Sequence, residues 1–532
     1  MVAVEPARDP GCRRRLEPVS CGGFPPSTRP SPRDAAVRDD ASDLRRQSVR
    51  AGAWAALGAV GLSLTGLVMF VLLSRLLGPR EYGLMAIVDI VLAFGQRALS
   101  SGLSEPLIQL QKLDDEHSDT LFWTLQVAGL TLAGCVIASS GAIGRSCGQE
   151  SLPPLLSASA VVLYAQCGAL VPGALLARSF RFAEIAKAGV TSELAGGAAG
   201  VVAALNGLGV WSLVTQRVVA ASVNGILLTG MARWRPGIRW SRRCFRDLWR
   251  FSLSRFADGM LLFVDQQFPR LMLGRFAGVG ELGQFVFARR IVEGTATLLN
   301  SPIRNTALST FSAIQHDPPR VRRVYAEGLA LTTTFVFPAC VGIVVMAHEI
   351  VAVLAGPRWA ASVPLLRLLV LASVRTSFHI WSTALLRGLG RPHLLLGASV
   401  TRSLATVVLC CWLWPWGGVG ICAAVLAAAY VSWPLALWSV RVVAGIGPGE
   451  QFRPCLPATV ATAAMAAVMM AFRSLIGPDV PPGMALSSAT LVGACTYASA
   501  MAVVGRAEIG ILLRNARLLL RGSTGVGAED AA

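Results

Sequence analysis

The sequence predicts an all-α polytopic membrane protein with about 14 transmembrane helices, arranged as two six-helix lobes and a C-terminal helix pair. Three observations predict this fold class. Hydrophobic residues make up 54% of the 532 residues and charged residues only 15%, with a mean hydropathy of +0.57, whereas soluble domains carry about 25% charge. Apolar segments of membrane-spanning length recur along the chain, and part of the sequence is repeated.

The apolar segments define the candidate helices in order. About 20 helical residues are needed to cross roughly 30 Å of hydrocarbon. Fourteen segments meet this requirement, and they lie near 51–74, 83–105, 118–142, 153–176, 185–206, 208–231, 250–273, 279–301, 326–347, 361–385, 393–414, 417–440, 455–476 and 484–505. We number them as spans 1 to 14.

The repeated sequence groups the first twelve spans into two lobes. The segment LSRLLGPREYGLMAIV begins at Leu73, and LGRFAGVGELGQFVFA begins 200 positions later, at Leu273. Both copies contain the pattern R-x-x-G-x-x-E-x-G, and a second match joins segments that begin at Ala174 and Ala384. Because six spans is an even number, both lobes insert in the same orientation. A pseudo-two-fold axis along the membrane normal should relate them, with a substrate site between them.

The predicted domain organisation follows from these segments. Residues 1–48 are rich in Pro, Arg and Asp and lack apolar periodicity, so we expect a disordered cytoplasmic tail. The basic linker 233–250 should form an interfacial helix, with Trp240 on its apolar face and Arg243 on its basic face. The other regions are the N-lobe at 49–232, the C-lobe at 251–445, spans 13 and 14 within 446–505, and a cytoplasmic amphipathic tail at 506–532.

The formal net charge of +18 indicates membrane topology rather than nucleic-acid binding, because the cations lie in alternate loops. Arginines are concentrated in 233–250 and 506–532, whereas the loop at 143–152 carries only Arg145. The positive-inside rule then places both termini in the cytoplasm. We expect membrane lipids as partners, through arginines at anionic headgroups, and no nucleic acid. The twelve cysteines contain no C-x-x-C pair, so no metal site is expected.

The glycine-rich segment LAGGAAGVV favours helix packing over phosphate binding. Gly196, Gly197 and Gly200 lie in an apolar segment, where small residues let helices approach closely. The segment lacks the G-x-x-x-x-G-K-[ST] pattern of a phosphate loop, and the chain has no such motif elsewhere. We therefore expect no cofactor, and any transport to be driven by an H⁺ or Na⁺ gradient, by the substrate or by a partner.

Ionisable residues inside spans are the candidate functional residues, because a charge at the bilayer centre costs at least ~2.5–3.5 kcal/mol. Spans 7 and 8 carry polar residues at helical spacing, which indicates that one face of each is wet. The candidate substrate-binding residues of the cavity are Arg97, Arg255, Arg289, Arg290, Asn300, Arg304 and Arg375. The candidate coupling or orienting residues are Asp89, Asp258, Asp265 and Glu293.

The balance of these charges favours an anionic ligand. Arginines outnumber acids by six to three across spans 7, 8 and 10, and a diphosphate would match the planar fork of donors in guanidinium. An alternative is that the charges pair with each other, for example Arg289 with Glu293 at i, i+4 spacing. His379 in span 10 is interpreted as a packed or hydrogen-bonded residue rather than a proton relay.

Several segments resemble the Wzx-type oligosaccharide flippases of the multidrug/oligosaccharidyl-lipid/polysaccharide exporter superfamily. They are LSRLLGPREYGLMAI, LGRFAGVGELGQFVFARRI, LNSPIRNTALSTFSAIQHDPPRVRRVY, AGPRWAASVPLLRLLVLAS and GLGVWSLVTQ, and the resemblance covers roughly 48–445. It implies a transporter, not an enzyme, in the bacterial cytoplasmic (inner) membrane. The implied substrate is an undecaprenyl-diphosphate-linked sugar repeat, moved by alternating access for extracellular polysaccharide, O-antigen or capsule biosynthesis. A polysaccharide polymerase and glycosyltransferases are the implied partners.

Two other classes stay open. An ion-coupled multidrug antiporter of the same superfamily would need cavity carboxylates for cationic substrates, and spans 1 and 2 offer only Asp89. A membrane polymerase or glycosyltransferase would need a large outer loop for its catalytic acids. The longest outer loops, at 143–152, 348–360 and 472–484, are too short for a catalytic domain.

Overall fold

The computed structural model describes residues 32–103, 115–242, 263–475, 480–505 and 510, and the regular structure within these ranges is helical throughout. The first half of the chain contains six long helices. They are α1 (Pro32–Leu76), α2 (Pro79–Leu103), α3 (Asp115–Cys147), α4 (Leu152–Arg178), α5 (Phe182–Leu205) and α6 (Trp211–Ala232). α3 packs on α4, and α6 packs on both α4 and α5.

The glycines of α5 lie at close helix contacts. A Cβ at Gly196 would lie 2.6 Å from the carbonyl oxygen of Gln216 in α6. A Cβ at Gly197 would lie 2.5 Å from the sulfur of Met69 in α1. The predicted role of these glycines in helix packing is therefore confirmed, because only a residue without a side chain fits these contacts.

The second half begins with a helix at residues 263–272, which we call α7 and which continues as a π-helical turn at Leu273–Ala277. The helices that follow are α8 (Val279–Ala313), α9 (Pro318–Val345), α10 (Ala347–Leu354), α11 (Ser362–Val374), α12 (Thr376–Gly388), α13 (His393–Leu413), α14 (Gly417–Val431), α15 (Trp433–Ala444), α16 (Pro448–Phe452), α17 (Leu456–Leu475) and α18 (Pro482–Val504). α8 packs on α11 and α12, α14 packs on α11 and α13, and α17 packs on α18 and α9.

Ten helical segments within the described residues are long and apolar enough to cross a membrane. One of them, His393–Ala444, contains predicted spans 11 and 12 and is interrupted by a 3₁₀ turn at Trp414–Trp416. Helices α2 and α8 coincide with predicted spans 2 and 8, and they are 25 and 35 residues long. The protein is thus an all-α, multi-pass membrane protein, while the number of fourteen spans stays a prediction.

Two predicted segments have a different local structure. The tail was expected to be disordered up to residue 48, but α1 begins at Pro32; no glycine or proline follows until Gly52, so no residue breaks the helix. The linker was expected to be helical from residue 233, but residues 234–241 are not. Pro236 cannot continue a helix.

Residues 1–31, 243–250 and 506–509 lie outside the described part of the chain, as do 511–532.

The non-helical linker is held by the start of α3. The backbone N–H of Gly237 donates to Asp119 Oδ1 (2.9 Å), and the indole N–H of Trp123 donates to the Gly237 carbonyl (2.9 Å). The N–H of Ser241 donates to the Thr120 hydroxyl (3.1 Å). These side-chain bonds satisfy backbone groups that a helix would otherwise satisfy.

The two copies of the repeated pattern meet where α2 crosses α8. A Cβ at Gly83 would overlap the carbonyl oxygen of Val279, the first residue of α8. A Cβ at Gly283 would overlap the carbonyl oxygen of Pro79, the first residue of α2. The contact is reciprocal, as a two-fold axis requires. The backbones can approach this closely only because both positions are glycine.

Other residues of the repeated pattern satisfy helix ends near the crossing. Glu81 accepts a hydrogen bond from the backbone N–H of Gly78 (3.0 Å) at the start of α2. Glu281 accepts one from the N–H of Gly418 (2.6 Å) at the start of α14. Arg75 Nε donates to the carbonyl oxygen of the last residue of α10 (3.0 Å). An acid at a helix start and a cation at a helix end both complement the helix dipole.

Aromatic side chains surround the crossing. The ring of Tyr82 packs edge-on against Phe70 and Trp359, at centroid distances of 5.0 and 5.4 Å. Phe287 stacks on Trp359 at 4.5 Å. The Trp359 indole N–H donates to the carbonyl of Ser74 (2.9 Å). This aromatic cluster joins α1, α2 and α8 to the segment between α10 and α11.

Candidate functional site

A cavity of about 300 Å³ lies beside the aromatic cluster, between α1, α2, α5, α6, α7 and α8. We call it the first cavity. Phe70 and Tyr82 belong both to the cluster and to the cavity wall, and Gln96 and Gln216 add amide groups. The charged residues of its wall are Asp89, Glu193, Arg217, Arg270, Arg290 and Glu293.

One ion pair of the first cavity joins two helices. Arg217 Nη2 in α6 lies 3.0 Å from Asp89 Oδ2 in α2, and the two side chains are 54% and 27% exposed. In a water-filled cavity, an ion pair with this exposure contributes at most about 1 kcal/mol. The pair can therefore open at modest cost when a ligand offers another partner.

A second ion pair lies within α8. Arg289 Nε is 2.7 Å from Glu293 Oε1, which confirms the pair predicted from the i, i+4 spacing. Arg289 Nη1 also donates to the backbone carbonyl of Gln266 in α7 (3.2 Å). Arg289 thus orients a carboxylate of the cavity wall and joins α7 to α8.

Three other charged residues of this wall form no ion pair with any residue that the structure describes: Glu193, Arg270 and Arg290. Arg270 Nη1 donates to Gln267 Oε1 (3.3 Å), while its Nε is buried without a hydrogen-bond partner. The side chains of Arg290 and Glu193 pack against Gly66 in α1. A Cβ at Gly66 would lie 2.7 Å from Arg290 Nη2 and 3.4 Å from Glu193 Oε1. Two guanidiniums and one carboxylate therefore remain available for a ligand.

A second cavity of about 180 Å³ lies between α7, α12, α13 and α15. Its polar wall consists of Asp265, Gln266, Arg375, His379, Ser399, Arg402, Ser403 and Ser432. Arg402 Nη2 lies 2.8 Å from Asp265 Oδ2, and the Thr406 hydroxyl donates to Asp265 Oδ1 (3.1 Å). Arg375, at the junction of α11 and α12, is only 5% exposed, and its Nε has no hydrogen-bond partner.

The predicted site residues are thus divided between two cavities. Those in the wall of the first cavity are Asp89, Arg290 and Glu293, with Arg289 bonded to Glu293. Those in the wall of the second cavity are Asp265 and Arg375. The spacing of residues along a helix was a correct guide within α8, but it does not determine which neighbouring helix each residue faces.

The remaining predicted residues lie elsewhere. Asn300 is buried in a small, mostly apolar space between α8, α9 and α11, because the neighbours of α8 change along its length. Arg97 is a half-buried residue of α2 outside the wall of the first cavity. Arg304 lies in α8. Arg255 and Asp258 lie outside the described residues.

Four charged residues of the two cavities are not among the candidates predicted from the sequence: Glu193 in α5, Arg217 in α6, Arg270 in α7 and Arg402 in α13. All four lie inside predicted spans. The same rule that selected Asp89, an ionisable residue at membrane depth, would have selected them.

Comparison with solved structures identifies the fold. The lipid II flippase MurJ, in an inward closed conformation, superposes with a TM-score of 0.71 at 14% identity, over 86% of this chain and 99% of MurJ. An inward-facing MATE family multidrug resistance transporter of the MOP superfamily matches with a TM-score of 0.52 at 15% identity, over 74% of this chain and 94% of that one. The protein is therefore a multi-pass membrane protein with the fold of this class of transporters.

Within this class, the chain belongs to the polysaccharide biosynthesis protein family, whose match covers residues 72–364, more than half of the sequence. It is 26% identical over 353 residues to the succinoglycan biosynthesis transport protein ExoT of Rhizobium meliloti, covering 66% of this chain and 72% of ExoT. It is 24% identical over 340 residues to the lipopolysaccharide biosynthesis protein WzxC of Escherichia coli, covering 63% of this chain and 68% of WzxC. The resemblance to polysaccharide flippases is thus confirmed.

Proposed function

We propose that the protein is a flippase that translocates undecaprenyl-diphosphate-linked oligosaccharide repeat units across the bacterial cytoplasmic membrane, for extracellular polysaccharide, O-antigen or capsule biosynthesis. The observation that carries this proposal is the first cavity, where Arg270 and Arg290 have no acidic partner among the described residues. Relatives in polysaccharide transport and biosynthesis support a transporter rather than an enzyme.

The chemistry of the wall suits a diphosphate. Moving an ionised group into hydrocarbon unaided costs on the order of tens of kcal/mol by Born solvation. A guanidinium binds phosphate oxygens through two parallel N–H donors, which an ammonium cannot do. The polyprenyl tail can stay in the lipid, so only the headgroup and its sugars need a polar path.

In the proposed complex, Arg270 and Arg290 bind the diphosphate, and the roles of Arg97 and Arg255 in binding it stay predictions from the sequence. Arg289 positions Glu293 and acts on the substrate indirectly. The carboxylates of the wall are the groups to which H⁺ or Na⁺ transport would couple.

We place the α2–α8 crossing on the outer side and both termini in the cytoplasm, because the basic loops are concentrated at the opposite helix ends. The aromatic cluster then closes the first cavity toward the outside, and separation of α2 from α8 opens it. Glycosyltransferases would supply the lipid-linked substrate, and a polysaccharide polymerase would consume it.

The test uses purified protein in liposomes that contain a fluorescent undecaprenyl-diphosphate-linked oligosaccharide. Loss of one charge-assisted contact costs ~1.5–3 kcal/mol, which corresponds to roughly ten- to hundredfold in affinity. We expect Arg290→Ala and Arg270→Ala each to lower substrate affinity by that factor and to slow translocation. Arg290→Lys should restore affinity only in part, because an ammonium lacks the bidentate fork.

Arg391→Ala is the matched control, because Arg391 is exposed between α12 and α13, away from both cavities. It should bind and translocate substrate like the unaltered protein. Equal affinity in Arg270→Ala, Arg290→Ala and the control would refute the proposed site.

An ion-coupled multidrug antiporter is the second candidate, and one observation favours it. The first cavity contains three carboxylates, those of Asp89, Glu193 and Glu293, rather than the single one that spans 1 and 2 offered. Carboxylates would attract an organic cation. The same liposomes discriminate the two functions, since an antiporter would accumulate an organic cation against an H⁺ or Na⁺ gradient, and a flippase would not.

A further inference from the structure

We infer that the second cavity binds a small monovalent anion, such as chloride, independently of the substrate in the first cavity. The cavity is walled by α7, α12, α13 and α15 and holds about 180 Å³. That is room for a small hydrated anion and not for a lipid-linked oligosaccharide.

Arg375 is a buried cation. The residue is 5% exposed, and its Nε is buried with no hydrogen-bond partner. No ion pair joins it to any residue that the structure describes. A buried guanidinium without a partner is strongly unfavourable, and buried polar groups are nearly always satisfied by protein, water or a ligand.

The wall that faces Arg375 carries a net positive charge. Asp265 from α7 is the single acid of the described wall, and it is already engaged by Arg402 and by the Thr406 hydroxyl. His379 from α12 is the remaining titratable group. With His379 neutral, the wall carries one unbalanced positive charge. One monovalent anion neutralises it, whereas a divalent anion would leave a buried negative charge.

Neutral hydrogen-bond donors lie in the same wall. Ser399 and Ser403 from α13 place hydroxyl groups there, and a hydroxyl can rotate to donate to an anion. Together with the Arg375 guanidinium, these hydroxyl groups can surround a small anion.

The first test locates the ion. Crystals of the full chain would be soaked in sodium bromide, and an anomalous difference map would be calculated. We expect a bromide peak within hydrogen-bond distance of the Arg375 guanidinium. A map with bromide elsewhere and none at Arg375 would overturn the inference.

The second test measures binding in detergent solution. The thermal midpoint of the full chain would be compared in sodium chloride and sodium gluconate at equal ionic strength. Chloride should raise the midpoint above the value in gluconate. Equal midpoints in the two salts would contradict the inference.

Variants assign the effect to one cavity. Arg375→Gln should abolish the difference between chloride and gluconate, and Arg375→Lys, which keeps the charge if the glutamine variant fails to fold, should retain part of it. Arg290→Gln in the first cavity is the matched control and should retain the full difference. Loss of the chloride effect in Arg290→Gln but not in the Arg375 variants would place the anion in the first cavity instead.

Discussion

The first and second cavities hold their charges in different ways. In the first, the Asp89–Arg217 pair spans two helices with side chains 27% and 54% exposed. In the second, the side chain of Asp265 is 13% exposed and Arg375 is 5% exposed. A partly exposed charge can exchange its partner for a ligand at small cost, whereas a buried charge depends on its partner. The first cavity therefore suits a ligand that exchanges ion-pair partners as it enters and leaves, and the second suits a small anion held as the partner of a buried charge.

The largest effect should come from breaking the pair in the second cavity. Asp265→Asn removes the partner of Arg402 and leaves that guanidinium uncompensated. Breaking a buried pair costs about 3–5 kcal/mol, and we expect about 3 kcal/mol because Arg402 is 36% exposed. The free energy of unfolding can be measured by denaturant titration of the purified protein with tryptophan fluorescence. If Asp265→Asn lowers the free energy of unfolding by less than Asp89→Asn does, exposure does not distinguish the two cavities.

The next largest effect is a loss of substrate affinity when a side chain is added beside Arg290 in the first cavity. Gly66→Ala places a methyl group 2.7 Å from Arg290 Nη2. We expect about a tenfold loss of substrate affinity, equivalent to ~1.4 kcal/mol. Stability should be unchanged or raised by up to about 1 kcal/mol, because alanine favours a helix over glycine. Gly134→Ala in α3 is the matched control, since no atom lies within 4 Å of a Cβ there. Equal substrate affinity in the two variants would show that the space beside Gly66 is not needed for binding.

A smaller effect is expected for the exposed pair. Asp89→Asn should lower the free energy of unfolding by at most about 1 kcal/mol, and less at high salt, because the pair is screened by solvent. The measurement is the same denaturant titration at low and high sodium chloride. A salt-independent loss of several kcal/mol would mean that this pair is structural.

The smallest effect is expected within α8. Glu293→Gln removes an i, i+4 pair that contributes about 0.3–0.5 kcal/mol. It also releases Arg289 toward the cavity, so the affinity for an anionic substrate should rise by about twofold. Binding titrations with the lipid-linked oligosaccharide would detect this. Weaker binding would indicate that Glu293 contacts the substrate or a coupled cation directly.

The sequence was sufficient to predict what is local to one helix. Apolar length located helices that are long enough to cross a membrane, and i, i+4 spacing predicted the Arg289–Glu293 pair. The sequence could not predict pairs between helices, such as Asp265 with Arg402, because spacing along a chain says nothing about the rotation of one helix against another. For the same reason, Arg375 was grouped with Arg290 as a substrate-binding residue, although the two line different cavities. The linker was predicted to be helical from its local sequence. The bonds that hold it in another conformation come from α3 to Gly237, and such tertiary contacts cannot be read from the local sequence.

The crossing of Gly83 and Gly283 has a mechanical consequence. Backbone lies on backbone at these two glycines, so α8 can pivot there on α2 while the surrounding aromatic cluster rearranges. From Gly283 to the end of α8 at Ala313 is 30 residues, a lever of ~45 Å at about 1.5 Å per residue. A tilt of about 10° would displace the far end by ~8 Å but shift Arg290 and Glu293, ~10–15 Å from the pivot, by only ~2–3 Å. The helix can thus open a wide entrance while its binding groups remain within reach of a bound headgroup.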